Sequence, residues 1–285
     1  MKVGIIANPH KPDSIATVRA LRDVLKARGI DSVLDHETAA MTGDADAGIE
    51  AAEFATQVDL AAAIGGDGTM LHAVLRLGDF DLPVAGIHIG RLGFLTTCTD
   101  KDMEAFADAV ADNKFNTSER TLLEAVVCRG GETCQTFTAL NEITLARGET
   151  GRMVSLVAKV NGELLNRYRA DGLIVTTPTG STAYSLSAGG PLVAPASGVF
   201  LITPICPHSL SQRALVLSDD NLIELSADDA EAGPMIFTVD GRESISIAPG
   251  DTIEVRKSAK SFHLLRLEGS SYFEALRQKL GWQGV

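Results

Sequence analysis

Gly65-Gly66-Asp67-Gly68-Thr69 stands between an apolar run, Leu60 to Ile64, and a segment with helical spacing. Glycines carry no Cβ, so a ligand can approach their backbone closely, and the first turn of a following helix adds unpaired N–H groups and a positive dipole end. Gly65, Gly66, Gly68 and Thr69 therefore read as a cradle for phosphate. A carboxylate in such a cradle is electrostatically out of place unless it binds a metal ion or accepts a proton, which makes Asp67 the candidate catalytic group. An Asx-turn or a helix cap would use the same residue with no chemistry at all.

Three further polar groupings stand out, two of them with the makings of a nucleoside site. In Asn141-Glu142 an amide can serve an adenine edge and a carboxylate can accept from two ribose hydroxyls; a polar turn before the strand Ile143 to Ala146 is the alternative. Arg169 and Asp171 flank Ala170 and by spacing share a face, as an ion pair across a strand would. Thr177 to Ser187 packs hydroxyls, Gly180 and Tyr184 into a turn opening a short helix, and such a segment can wrap a nucleotide or simply cap the helix. His72 reads as a packed or capping side chain, and His208 as part of a rigid corner set by the prolines of Pro204 to Leu210.

Other phosphate and hydrolase signatures are missing: there is no GxxxxGK[ST], GxGxxG, HRD or DFG, and no GxSxG or HExxH. Cys98, Cys128, Cys134 and Cys206 form no CxxC pair and have no histidine at zinc spacing, so they read as reduced, mostly core thiols.

The elements that must hold these residues fall into two textures. Up to about residue 115, short apolar runs alternate with helical periodicity, the pattern of βα units and a mainly parallel sheet. Val3 to Ala7, Leu60 to Ile64 and Val84 to Ile87 read as strands. Helices are expected through Ile15, Val18, Leu21 and Leu25, over Asp46 to Thr56, over Thr69 to Leu77, and over Lys101 to Val110 with Thr99 or Asp100 as cap. From Thr121 the texture becomes short β-rich segments, as in an antiparallel sandwich. Strands are expected at Thr121 to Cys128, Ile143 to Ala146, Leu173 to Thr177, Leu215 to Leu217, Ile236 to Val239 and Thr252 to Arg256, and one more in the acidic stretch Asp219 to Glu231. Asn161-Gly162 signals a type I′ hairpin. Tyr272 to Leu280 returns to helical spacing with Phe273, Leu276 and Leu280 on one face. The expected fold class is an N-terminal α/β domain, Rossmann-like with a mainly parallel sheet, over residues 1–118, a β-rich, sandwich-like domain over 119–265, and a last helix over 266–285 packing back on the first.

Composition narrows the partners. With 45% hydrophobic and 22% charged residues the 285-residue chain can bury a large core without a metal or disulfide. A net charge of -12 argues against nucleic acid, whose binding draws on Lys and Arg, while backbone amides and a few placed arginines still suit a small anionic ligand. No apolar run approaches the roughly 20 residues of a membrane span, so no membrane partner is expected, and the expected compartment is the cytoplasm.

The GGDGT pentad resembles the phosphate-donor loop shared by NAD kinases, diacylglycerol and sphingosine lipid kinases, and 6-phosphofructokinases. Five further segments, in order, narrow this to the bacterial-type NAD kinase family: Gly86 to Thr96, Asn141-Glu142, Asp171-Gly172, Thr177 to Ser185 and Ile202 to Leu210. The closing Tyr272 to Trp282 is similar to the tail of the bacterial enzymes, and the likeness is weakest over residues 31 to 58 and 218 to 234. His88 stands where many members carry Asn, so no ligand contact is transferred to it. The resemblance implies a kinase that moves the terminal phosphoryl group of ATP or polyphosphate to the adenosine ribose 2′-hydroxyl of NAD, with Mg²⁺ or another divalent cation held mainly by the donor phosphates. It assigns NAD contacts to Asp67, Gly68, Asn141, Glu142, Asp171 and Thr182, Ala183, Tyr184, Ser185, Leu186 and Ser187, with Arg152, Arg169 and Arg242 near contact positions. It also implies a homodimer or homotetramer in which Asp171 is a candidate to serve a neighbouring subunit's site.

Overall fold

The short apolar runs near the N-terminus are strands buried on both faces, which is what a parallel sheet covered by helices requires. A computed structural model of the chain describes residues 1–44, 48–77, 81–90, 93–148, 152–227 and 235–282. It divides into two units, Met1–Glu119 with Phe262–Val285, and Arg120–Ser261.

In the first unit β1 (Lys2–Ala7), α1 (Ser14–Ala27), β2 (Asp31–Leu34), α2 (His36–Thr42), α3 (Ala51–Gln57), β3 (Leu60–Gly65), α4 (Asp67–Leu77), β4 (Val84–His88), β5 (Cys98–Thr99) and α5 (Met103–Ala111) follow in order. β2, β1, β3 and β4 pair side by side, all parallel, with Ile5 opposite Ala62 and Gly65 opposite His88. Their apolar faces meet Val18, Leu21 and Leu25 of α1 and Phe106, Ala107 and Val110 of α5 in one core.

Several details differ from the sequence expectations. The buried stripe of α1 runs through Ser14, Thr17, Val18, Leu21 and Leu25, and leaves Ile15 exposed at its edge. The helix expected over Asp46 to Thr56 is found as Ala51–Gln57, and residues 45–47 lie outside the described residues. α4 begins at Asp67 rather than Thr69, because the Gly66 carbonyl already accepts from Thr69 and Met70 N–H. The residue before α5 is Asp102, not Thr99 or Asp100; its carboxylate reaches back to the Thr99 N–H and hydroxyl instead of the helix.

β6 (Phe115–Arg129) runs from the first unit into the second, where β7 (Glu132–Ala139), β8 (Glu142–Arg147), β9 (Val154–Val160), β10 (Glu163–Ala170) and β11 (Gly172–Thr176) follow. A 3₁₀ turn (Thr179–Thr182) and the one-turn helix α6 (Tyr184–Ser187) lead to β12 (Val199–Ile205), β13 (Leu215–Ser218), β14 (Ile223–Ala227), β15 (Met235–Val239), β16 (Glu243–Ile247) and β17 (Thr252–Leu267). One antiparallel sheet has the order β13-β12-β11-β8-β15-β16, and β10, β9, β14 and the first part of β17 form another antiparallel run. Leu145, Val175, Phe200 and Phe237 from the former share a core with Leu156, Ala158, Leu225 and Val255 from the latter, so the second unit is a β-sandwich. Asn161 and Gly162 turn the β9–β10 hairpin with φ of 52° and 81°, the type I′ signature.

Pro204 lies inside β12 opposite Leu173, so the expected rigid corner starts later, at Cys206. β17 continues eleven residues past Arg256, and its Leu264 pairs with Val84 of the first unit's sheet. α7 (Tyr272–Leu280) buries Ala275 and Leu276, while Phe273 is turned outward.

Candidate functional site

In the first unit the glycine loop is fixed from behind. The Thr69 side chain is buried with Oγ1 3.4 Å from Gly66 N, and a Cβ on Gly65 would stand 2.1 Å from that oxygen. Thr69 thus turns its hydroxyl to the loop itself, and any contact with a donor phosphate falls to its backbone. Gly68 is exposed, and Gly66 and Asp67 are half-buried at the head of α4. A carboxylate in a first helical turn is favoured by the dipole.

The Asp67 carboxylate accepts from two successive amides, Phe94 N–H on Oδ2 at 3.1 Å and Leu95 N–H on Oδ1 at 3.0 Å. They belong to the segment 86–96, whose Arg91 and Leu92 lie outside the described residues. His88, at the end of β4, lies against the loop, its Nε2 3.3 Å from where a Gly66 Cβ would be. Burial lowers the His88 pKa, and the Lys11 and Lys279 charges add to this against the Asp67 charge and an Ile89 backbone hydrogen bond, which favours the neutral imidazole. His72 sits half-buried on α4.

In the second unit the ends of three neighbouring strands gather the other candidates. Glu142 opens β8 opposite Thr176 at the end of β11, and Val239 ends β15 opposite Ile143. Just beyond, Asp240 accepts from the N–H groups of Leu140, Asn141 and Glu142, each at 2.9 Å, and its own N–H returns to the Glu142 carbonyl at 2.9 Å. The Thr176 hydroxyl and the Thr177 N–H donate to Asn141 O at 2.8 and 2.9 Å, and the Thr177 hydroxyl to Leu140 O at 2.5 Å. A Cβ on Gly180 would come within 2.3 Å of Asn141 O, so this close approach needs the glycine.

Glu142 is 8% exposed, and its Oε2 is buried without a hydrogen-bond partner. Burial, then the neighbouring Asp240 charge, pushes its pKa up to about 8, against a Tyr184 backbone hydrogen bond. An unpaired buried acceptor costs roughly 1–3 kcal/mol, which a ligand hydroxyl would recover.

Tyr184 presents its ring at 46% exposure, and Leu186 and Ser187 follow it on α6, with Thr182 and Ala183 half-buried before it. Ser185 is buried and its hydroxyl is shared with Thr203 Oγ1 at 2.8 Å, which makes it part of the scaffold. Arg169 is exposed on β10; Asp171 pairs not with it but with Arg147, at 3.1 Å. Arg242 is exposed and its charge acts on Asp240, and Arg152 is exposed ahead of β9. The structure therefore brings Asn141, Glu142, Thr177 and Gly180 together and leaves Arg152 and Arg169 as surface residues. Sequence reasoning missed Asp240, Phe94 and Leu95; an Asp-Gly step after a strand was the only visible sign of the first, and nothing signals the amides.

Among the described residues no three His, Cys, Asp or Glu side chains cluster to hold a metal. One carboxylate beside glycine amides suits Mg²⁺ in the mode where substrate phosphates and water supply most ligands.

A glycine cradle with its own carboxylate in an α/β unit, and a β-sandwich whose strand ends collect nucleoside-type donors and acceptors, define a phosphotransferase of the GGDGT class. Residues 3–115 match the ATP-NAD kinase N-terminal domain and residues 140–267 the ATP-NAD kinase C-terminal domain. The NAD kinase of Chlorobium luteolum is 42% identical over 287 residues, covering 99% of this chain and 97% of that protein. That of Syntrophotalea carbinolica is 36% identical over 283 residues, covering 99% and 98%. Among solved structures, yeast NADH kinase complexed with NADH superposes with a TM-score of 0.89 at 27% identity, covering 100% of this chain and 89% of that one. An NAD kinase from Archaeoglobus fulgidus in complex with ATP gives 0.75 at 25% identity, covering 100% of both chains. The chain belongs to the NAD kinase family.

Proposed function

We propose that this enzyme transfers the terminal phosphoryl group of ATP, with polyphosphate as an alternative donor, to the 2′-hydroxyl of the adenosine ribose of NAD, making NADP. The observation that carries this acceptor is Glu142: a buried carboxylate with an unpartnered oxygen, beside Asn141, at a strand end held by Asp240. That unpartnered oxygen can pair with a ribose hydroxyl.

In the reaction the ribose oxygen forms a bond to the terminal phosphorus while the bond from that phosphorus to its bridging oxygen breaks, and ADP leaves. Asp67 orients the hydroxyl and takes its proton, then passes it to solvent. Gly65, Gly66, Gly68 and the Thr69 backbone hold the donor phosphates. Asn141, Glu142 and Thr182 to Ser187 hold the nucleoside, with Tyr184 as an aromatic wall and Arg152, Arg169 and Arg242 flanking. Mg²⁺ or another divalent cation, held mainly by the donor phosphates beside Asp67, would supply neutralisation of their charge when bound. Phosphoryl transfer passes through a loose transition state, so positioning and charge stabilisation outweigh proton removal.

The same reading makes the enzyme cytoplasmic, its four free cysteines staying reduced, and a homodimer or homotetramer with Asp171 serving a neighbour's site. Among the described residues no helix is long and apolar enough to cross a membrane. Purified enzyme given γ-labelled ATP and Mg²⁺ with NAD, diacylglycerol, sphingosine and fructose 6-phosphate in separate reactions is expected to label NADP alone. Label in a lipid or sugar at comparable efficiency, with none in NADP, would overturn the assignment.

A further inference from the structure

The segment around Gly93 to Thr96 has no part in the reaction just described, yet its backbone grips the group that does. Phe94 and Leu95 N–H each take one oxygen of Asp67, which fixes the place of the carboxylate and its rotation about the last side-chain bond. Each carboxylate oxygen has a second lone pair with which it can meet a hydroxyl. Gly93 has to be glycine, because a Cβ there would stand 2.1 Å from Asp67 Oδ1 and 2.8 Å from its Cγ.

One side chain closes this turn. Thr96 Oγ1 accepts from Gly93 N–H at 2.7 Å and donates to Gly93 O at 3.2 Å, and Thr96 is only 5% exposed. Thr97 then anchors the turn: its hydroxyl donates to Leu265 O at 2.6 Å and accepts from Gly86 N–H at 3.1 Å, and its N–H donates to Gly86 O at 2.7 Å. Strands β4 and β17 thus carry the turn, and Thr96 sets its shape.

We propose that Thr96 is a positioning residue for phosphoryl transfer, holding the Gly93–Leu95 turn so that its two amides aim the Asp67 carboxylate at the acceptor hydroxyl. The inference rests on the reading of Asp67 given above. Its action is through Asp67 alone, and that makes it separable from a general structural role.

The test is a double-mutant cycle on kcat at saturating NAD and ATP, with Thr96→Val, Asp67→Asn and the pair, folding being checked by thermal melts. Valine keeps the shape of threonine and removes both hydrogen bonds. Thr96→Val is expected to lower kcat about tenfold or more while both KM values stay within about threefold, as misplacement of a reacting group does. Thr96→Ser restores most of the rate. In the Asp67→Asn background the same change should alter kcat by less than about twofold. An equal loss of rate in both backgrounds, or raised KM values at unchanged kcat, would overturn the proposal while leaving the role of Asp67 intact. Parent-like kcat for Asp67→Asn alone would instead sink the reading of Asp67 and this inference with it. If Thr96→Val does not fold, Thr96→Ala, which also removes both hydrogen bonds, replaces it in the same cycle.

Discussion

Asp67 and Glu142 are carboxylates in contrasting surroundings, which suit the different work proposed for them. Two amides satisfy Asp67, whereas Glu142 keeps an oxygen buried and unpaired. Folding raises the Glu142 pKa from 4.5 to about 8, so between those values the folded chain binds the extra proton. Stability from this group is therefore fullest at low pH, falls as pH rises across that window, and is flat above it. Glu142→Gln removes the effect: its melting temperature is expected to exceed the parent's above about pH 8 and to converge on it toward about pH 4. A difference independent of pH would show that Glu142 does not titrate this way. Both residues were legible in the sequence because their types and neighbours carry meaning. Asp240, Phe94 and Leu95 were not, since they act over separations of 98–100 and 27–28 residues, and the last two through bare N–H groups that every residue but proline has.

At the scale of elements, the nucleoside-type residues depend on three strand ends tied together. Asp240→Ala would strip the acceptor from three amides at once, and a destabilisation of about 3 kcal/mol is expected, at roughly 1 kcal/mol for each lost bond. Chemical denaturation measures it, and steady-state titration should show a raised NAD KM beside an unchanged ATP KM. Loss of stability within about 0.5 kcal/mol of zero would mean that the strand ends are held otherwise. Periodicity located the strands whose apolar pattern is unbroken, such as β3, and missed length where polar residues interrupt it. β17 carries Arg256 to Ser261, six largely solvent-facing residues in which no alternation survives, so only its first part was visible. α4 was placed two residues late because Asp67 and Gly68 are poor helix formers, and the Gly66 carbonyl overrides that preference.

For the whole molecule, the two textures in the sequence correspond to the fold class, helices on a parallel sheet and a β-sandwich, although the order of strands in the sandwich could not be read, since antiparallel partners such as β8 and β15 are far apart in the chain. The proposed assembly makes a prediction at this scale: specific activity should fall on dilution in step with dissociation seen by sedimentation. A fully active monomer at assay concentration would remove Asp171, held here by Arg147, from any neighbour's site. In the proposed reaction the two units divide the labour, with Asp67 of the first serving the transfer and Glu142 of the second holding the nucleoside. Asparagine at 67 must set an NH₂ donor against one of the two amides, so its loss includes mispositioning as well as lost basicity. Paired titrations of NAD at saturating ATP test the division directly. Asp67→Asn is predicted to lower kcat about 10²-fold or more with NAD KM within about threefold, and Glu142→Gln to raise NAD KM more than it lowers kcat. Near-parent kcat for Asp67→Asn, or a kcat loss at unchanged KM for Glu142→Gln, would contradict it.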